Sequence, residues 1–355
     1  MTLGSKERQP IGYVPQGHDL DLPGDRRRFP RYATLRERSF DLVSNWEDHE
    51  VLVLSHGADV TRWVQAPPDR RIVVDLADAY LDERHGLRQS VRGLAKWSAG
   101  ESSRPVLSYR RALERLLKRA NAVVCSTEEQ AAKIAPYNGN VHSILDLHGE
   151  FDFLSPKSRS SRRLDIVWEG MQPTLPAIRP VLPALQSLAR RTELRLHLVT
   201  DLYAPRFMNR FVVRRTDEMV RNWGVDIELH CWSVQKLTEV AQQCDVAIVP
   251  VDLTDPFTRG KPENRMRIFW RLGLPVVVSA SPAHRRAVEL AGMDKVVLCS
   301  SADDWERALL ELSTQTDLRL EIARAGQLAA ATKYDDELLL EKWDEVFKSL
   351  RLGAK

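Results

Sequence analysis

Short runs of aliphatic and β-branched residues recur along the chain, and between them apolar residues return every three or four positions. In the first half the short runs fall at 11–14, 51–54, 72–74, 122–125 and 141–145. In the second half they fall at 164–168, 194–199, 225–229, 246–249, 276–278 and 296–298. Runs this brief, apolar at almost every position, predict strands buried on both faces, as in parallel sheets. The intervening pattern is helical: over 109–120, Leu113, Leu116 and Leu117 share a face. Ser233 is a suitable N-cap for a helix carrying Val234, Leu237, Val240, Ala241 and Cys244. A last helix over about 337–350 aligns Leu339, Trp343, Val346, Phe347 and Leu350 in one stripe. Strand–helix alternation throughout predicts a parallel α/β architecture.

The pattern breaks once, at the polar stretch SPKSRSSRR (155–163), and then starts again. Such a stretch favours a solvated linker. The predicted organisation is an N-terminal domain over 1–154, a linker over 155–163, a second domain over 164–332, and a closing helical segment over 333–355. A length of 355 residues suits two domains of this kind. With 43% hydrophobic and 28% charged residues, the composition excludes a disordered or membrane-embedded chain. No apolar run approaches the ~18 residues of a bilayer span, and the polar stretch from Met1 to Pro10 is not expected to be a secretory signal. Cys125, Cys231, Cys244 and Cys299 form no Cys-x-x-Cys pair. They are expected to be reduced and buried, which points to the cytoplasm.

The net charge of +3 conceals a basic stretch between Arg84 and Arg119. It is either a solvated helical face or a surface for a phosphate-bearing acceptor or for anionic lipid headgroups at the inner face of the membrane. Nucleic acid is not expected, because neither an aromatic-interleaved basic strand nor a helix-turn-helix pattern accompanies the charge.

The segment 244–279, CDVAIVPVDLTDPFTRGKPENRMRIFWRLGLPVVVS, reads as strand, polar loop, helix, tight turn and strand. Loops leaving the carboxyl ends of parallel strands line the ligand crevice. A helix beginning near Pro262 would offer free N–H groups to a phosphate, with Lys261 adding charge. This segment resembles the donor half of the GT-B glycosyltransferases, and is most similar to bacterial members related to the large retaining family of group 1, family 4-like enzymes. The resemblance implies two Rossmann-like parallel-sheet domains facing a cleft, with the C-terminal helix crossing back to the N-domain. It also implies donor contacts from Asp255, Lys261, Glu263, Asn264 and Arg265. Trp232 matches the nucleobase pocket, and Gly170 the close approach to phosphate in the first loop of the donor domain. One position departs: the second glutamate of the retaining motif is Ile268 here.

In the first half, Asp75 and Asp78 follow the strand at 72–74, and His56 ends the strand at 51–54. A carboxylate or imidazole at a carboxyl strand end is placed to take the proton of an acceptor hydroxyl; helix capping and a turn histidine are the plainer alternatives. Arg26, Arg27 and Arg28 follow the first strand, where they would meet an anionic acceptor or a diphosphate, unless they are simply solvated. Asp146, His148, Glu150 and Asp152 have a spacing that invites a metal, but a polar hinge is favoured. Asp19 and Asp21 form a lone Asp-x-Asp. The function expected is transfer of a sugar from a nucleoside-diphosphate sugar to a glycan, lipid-linked or other cell-surface polysaccharide acceptor, with no metal or further cofactor. A nucleotide-sugar epimerase on the same fold, or a non-catalytic binding protein, stays open.

Overall fold

The structure, a computed structural model, describes residues 11–17, 20–83, 108–157, 162–206, 212–293 and 295–352. Asp19 and the part of the basic stretch from 84 to 107 lie outside the described residues. Contacts divide the chain into two units. One comprises Met1–Leu147, Gly260–Pro262 and Asp336–Lys355; the other comprises His148–Arg259 and Glu263–Asp335. No described helix is long and apolar enough to cross a membrane.

The first unit is built on a parallel sheet of β1 (Ile11–Val14), β2 (Phe40–Leu42), β3 (Val51–Leu54), β4 (Arg71–Leu76), β5 (Ala122–Cys125) and β6 (Val141–Ser143), in the order β2-β1-β3-β4-β5-β6. Side chains alternate along each strand, so one apolar run feeds two cores. Leu52, Leu54, Ile72, Val74, Val123 and Cys125 face one core, which the helix Tyr109–Arg119 closes with Leu113, Leu116 and Leu117. Val53, Val73, Ala122 and Val124 face the other. That second core is closed by the last helix, Asp336–Leu352, through Leu339, Trp343, Val346, Phe347 and Leu350, so the chain's end completes the sheet formed by its beginning. Tyr32 stacks on Trp343 at 5.5 Å and on Phe347 at 5.6 Å, and its hydroxyl donates to Asp344 at 2.9 Å. Large side chains buried this fully contribute roughly 1.5–3 kcal/mol each. The edge strand β2 was not expected; its sequence, Phe-Asp-Leu, is short, broken by an aspartate and mostly exposed, so it carries no apolar run.

The second unit holds β7 (Arg163–Glu169), β8 (Glu193–Thr200), β11 (Asp226–Cys231), β12 (Val246–Val249), β13 (Val276–Ser279) and β14 (Leu298–Cys299), all parallel, in the order β11-β8-β7-β12-β13-β14. An antiparallel ribbon, β9 (Tyr203–Arg206) with β10 (Val212–Arg215), interrupts the alternation and was also not expected. With the ribbon set aside, the strands run 3-2-1-4-5-6, the doubly wound order, whose direction reverses between β7 and β12. In the first sheet the order reverses between β1 and β3. Arg163 is the first residue of β7 rather than part of a linker. The turn from the helix Asn264–Arg271 into β13 requires Gly273: its φ is +73°, and a Cβ there would lie 2.4 Å from the Leu154 carbonyl oxygen. Cys125, Cys244 and Cys299 are buried as expected, but Cys231, the last residue of the edge strand β11, is exposed.

Candidate functional site

At the carboxyl end of β7 the backbone turns at Gly170, on the side where the second sheet reverses order. A Cβ on Gly170 would lie 3.0 Å from Arg265 Cζ and 2.9 Å from Thr174 Oγ1, so the glycine lets a guanidinium lie close over the backbone. Arg265 is in the first turn of Asn264–Arg271, which carries no acidic residue in that turn. A cation there opposes the helix dipole, which favours negative charge at the N-terminus. Its compensation is thin. Arg265 donates to Thr174 Oγ1 at 3.3 Å, lies 3.9 Å from Glu169 and sits 5.8 Å from the Trp168 ring. A helix N-terminus with a cation beside it is the kind of place that suits an anion.

Glu169 also receives Trp232 Nε1–H at 2.9 Å, which fixes the half-buried indole just beyond β11. At the far side of the switch point, Ser279 Oγ accepts from Val251 N at 2.9 Å and ties the loop after β12 to the end of β13. The carbonyl of Ser279 accepts from His284 Nδ1 at 2.7 Å. Burial pushes the His284 imidazole down to about 4, and Arg265 adds to the depression. Glu169, Thr174 and Ser279 were not foreseen; a glutamate ending a buried strand just before Gly170 is the signal that could have found the first.

The helix begins two residues later than Pro262, and the loop before it contains a short helix, Pro256–Arg259. Asp255 and Asn264 are half-buried, the latter accepting from Arg267 at 3.3 Å. Glu263, expected to meet the donor, is instead turned inward: it is 5% exposed and accepts from the Tyr334 hydroxyl at 3.1 Å. Burial raises its pKa. Ile268 is packed in the core. Lys261 belongs to Gly260–Pro262, which group with the first unit.

In the first unit, Asp75 is not the open carboxylate its strand-end position suggested. It is 3% exposed, and Arg28 binds it through Nε at 2.8 Å and Nη2 at 2.6 Å. Arg28 Nη1 donates to Asp146 at 3.0 Å, Ile144 O at 3.1 Å and Ser126 Oγ at 3.2 Å. Burial alone would disfavour the guanidinium's charge, but Asp75 and Asp146 more than offset it. Arg28 is thus a buried tie between strand ends and not a phosphate contact. Arg27 is buried as well, whereas Arg26 is half-buried at the end of a short helix. Asp146 Oδ1 is thus engaged by Arg28, and His148 is itself buried.

His56 follows β3 at the switch point of the first sheet. Its neighbour Gly57 approaches the loop after β1 so closely that a Cβ would lie 2.8 Å from Gln16 Cα. Asp25 shapes that loop by accepting from Gln16 N at 2.7 Å and Gly17 N at 2.9 Å. His56 stacks on Tyr80, with ring centroids 5.1 Å apart. Burial pushes its imidazole below the ordinary value, opposed by the half-buried Asp78 and by Asp75 and Asp25. A neutral, partly exposed imidazole can accept a proton. In the described part of the basic stretch, Arg110 pairs with Glu114 at 2.9 Å and Arg119 donates to the Arg70 carbonyl at 2.9 Å, so part of that charge is used within the fold.

No family model and no curated protein matches the chain. Solved structures do: the fold is that of the GT-B glycosyltransferases, two parallel-sheet α/β domains of six strands each. A mutant of S. aureus TarM, in complex with Fondaparinux, α-GlcNAc-glycerol and UDP, matches with a TM-score of 0.57 at 10% identity over 84% of this chain and 55% of its own. Sucrose-phosphate synthase from Thermosynechococcus elongatus matches with a TM-score of 0.57 at 11% identity, covering 86% of this chain and 75% of its own. WaaG, a glycosyltransferase involved in lipopolysaccharide biosynthesis, matches with a TM-score of 0.57 at 14% identity, covering 95% and 99%. The chain spans about half the length of TarM. At these identities the likeness is one of fold.

Proposed function

We propose that the chain is a glycosyltransferase that holds a nucleoside-diphosphate sugar at the carboxyl edge of the second sheet. The observation that carries this reading is Arg265, a thinly compensated cation at a helix N-terminus, packed over Gly170 where the strand order reverses. A diphosphate would complete the charge that the helix lacks. Trp232, anchored by Glu169, offers an aromatic face to the base. As the bond from the anomeric carbon to the diphosphate oxygen breaks, negative charge grows on the leaving group. Arg265 and the helix N–H groups would stabilise it without a metal. Within the first unit, His56 is the candidate base for an acceptor hydroxyl. His56 replaces Asp75 in this role because Asp75 is bound by Arg28.

The UDP in the TarM complex and the lipopolysaccharide role of WaaG support a nucleotide-sugar donor and a glycan or lipid-linked acceptor. This reading places the protein in the bacterial cytoplasm, in polysaccharide biosynthesis, and at the inner membrane face if the basic stretch meets lipid. A second reading, binding without turnover, draws on Ile268 in the core and Glu263 turned inward.

The test is Arg265→Ala. Loss of a charged hydrogen bond to phosphate costs about 1.5–3 kcal/mol, so affinity for the preferred nucleoside diphosphate should fall roughly 10- to 100-fold with the melting temperature little changed. Unchanged affinity would remove this helix from the mechanism. Undiminished binding by the wild type with no transfer to any acceptor would favour the second reading.

A further inference from the structure

The face of the second sheet carries a cluster that the glycosyl-transfer reading does not use. His197 on β8 and His230 on the edge strand β11 point their rings at each other, with Nδ1 of the first 3.1 Å from Nε2 of the second. Glu228, paired in register with His197, brings its carboxylate to 3.9 Å from His197 Nδ1 and 3.7 Å from His230 Nε2. Behind His197, Asp165 on β7 accepts from Nε2 at 3.1 Å.

We propose that His197 Nδ1, His230 Nε2 and Glu228 form a site for a divalent transition-metal ion of the zinc class, separate from the sugar-transfer chemistry. The ring separation already suits the ion: two nitrogens each ~2.0–2.1 Å from a tetrahedral zinc lie about 3.3 Å apart. The tautomer is set correctly. A carboxylate on His197 Nε2 keeps the proton on that nitrogen and leaves the Nδ1 lone pair facing the ion, the outer-shell arrangement typical of metal-bound histidines. Glu228 can serve two partners: Oε2 accepts from Arg195 at 3.0 Å, while Oε1 faces His230. His197 is 4% exposed whereas Glu228 is open to solvent, so an ion would enter from the Glu228 side and keep a water as fourth ligand. Bound there, it would clip the edge strand to β8.

The test uses the untagged full chain, stripped with a chelator and titrated with Co2+ and then Zn2+. One equivalent of Co2+ should bind with the visible absorption of a four-coordinate ion, be displaced by Zn2+, and raise the melting temperature. Glu228→Gln, at a solvent-open position where the fold tolerates change, should weaken Zn2+ binding by at least ~10-fold, and Asp165→Asn by roughly 10- to 100-fold. His197→Gln with His230→Gln should abolish it. No uptake by the wild type, or uptake unchanged in these variants, would overturn the proposal and leave a hydrogen-bonded histidine pair.

Discussion

Arg28 holds three strand ends together from inside the first unit, and its substitution is the sharpest test of residue-scale packing. Arg28→Ala would leave Asp75, and with it Asp146, without the cation that compensates them. Breaking a buried pair from one side costs about 3–5 kcal/mol, so urea unfolding should show a loss of that size. A loss below ~1 kcal/mol would mean that the carboxylates find protons or water instead. Arg28→Lys should recover little, since an ammonium cannot bind a carboxylate with two parallel N–H groups. The sequence marked Asp75 as a strand-end carboxylate but gave no hint of its partner, which lies 47 residues earlier in the chain. Glu263 is likewise positioned by a distant residue, Tyr334, 71 residues away.

At the scale of elements, the junction between β13 and the helix Pro282–Leu290 is locked by Ser281, whose side chain caps His284 N, and by the His284 ring on the Ser279 carbonyl. The fold keeps that imidazole neutral, with its pKa lowered from 6.5 to about 4. Between those values the unfolded chain binds the proton more readily than the folded one. The ring's contribution to stability is therefore complete above pH 6.5 and is lost as pH falls toward about 4, a change of about 3 kcal/mol. His284→Gln should flatten the dependence of melting temperature on pH across this window; an unchanged slope would contradict the assignment. Elements defined by apolar runs were legible because burial on both faces leaves a continuous signature. The edge strand β2 and the β9–β10 ribbon were not, because exposed strands carry polar residues. The helix Pro256–Arg259 was hidden in a loop read only for its polarity.

For the whole molecule, two doubly wound sheets each place a switch point at the carboxyl ends of their strands, and the candidate groups gather there: His56 in one, Gly170 and Arg265 in the other. The strand–helix rhythm disclosed this architecture, whereas which polar side chains face out at the switch points depended on contacts across each unit. In the proposed function, the second unit carries a diphosphate site. Thermal unfolding with UDP, GDP, ADP, CMP and dTDP and their sugar conjugates tests it most directly, because a ligand of the folded state raises the melting temperature. A selective rise with one nucleoside-diphosphate series, lost in Arg265→Ala, is expected. No rise across the panel, or an equal rise in the variant, would contradict it.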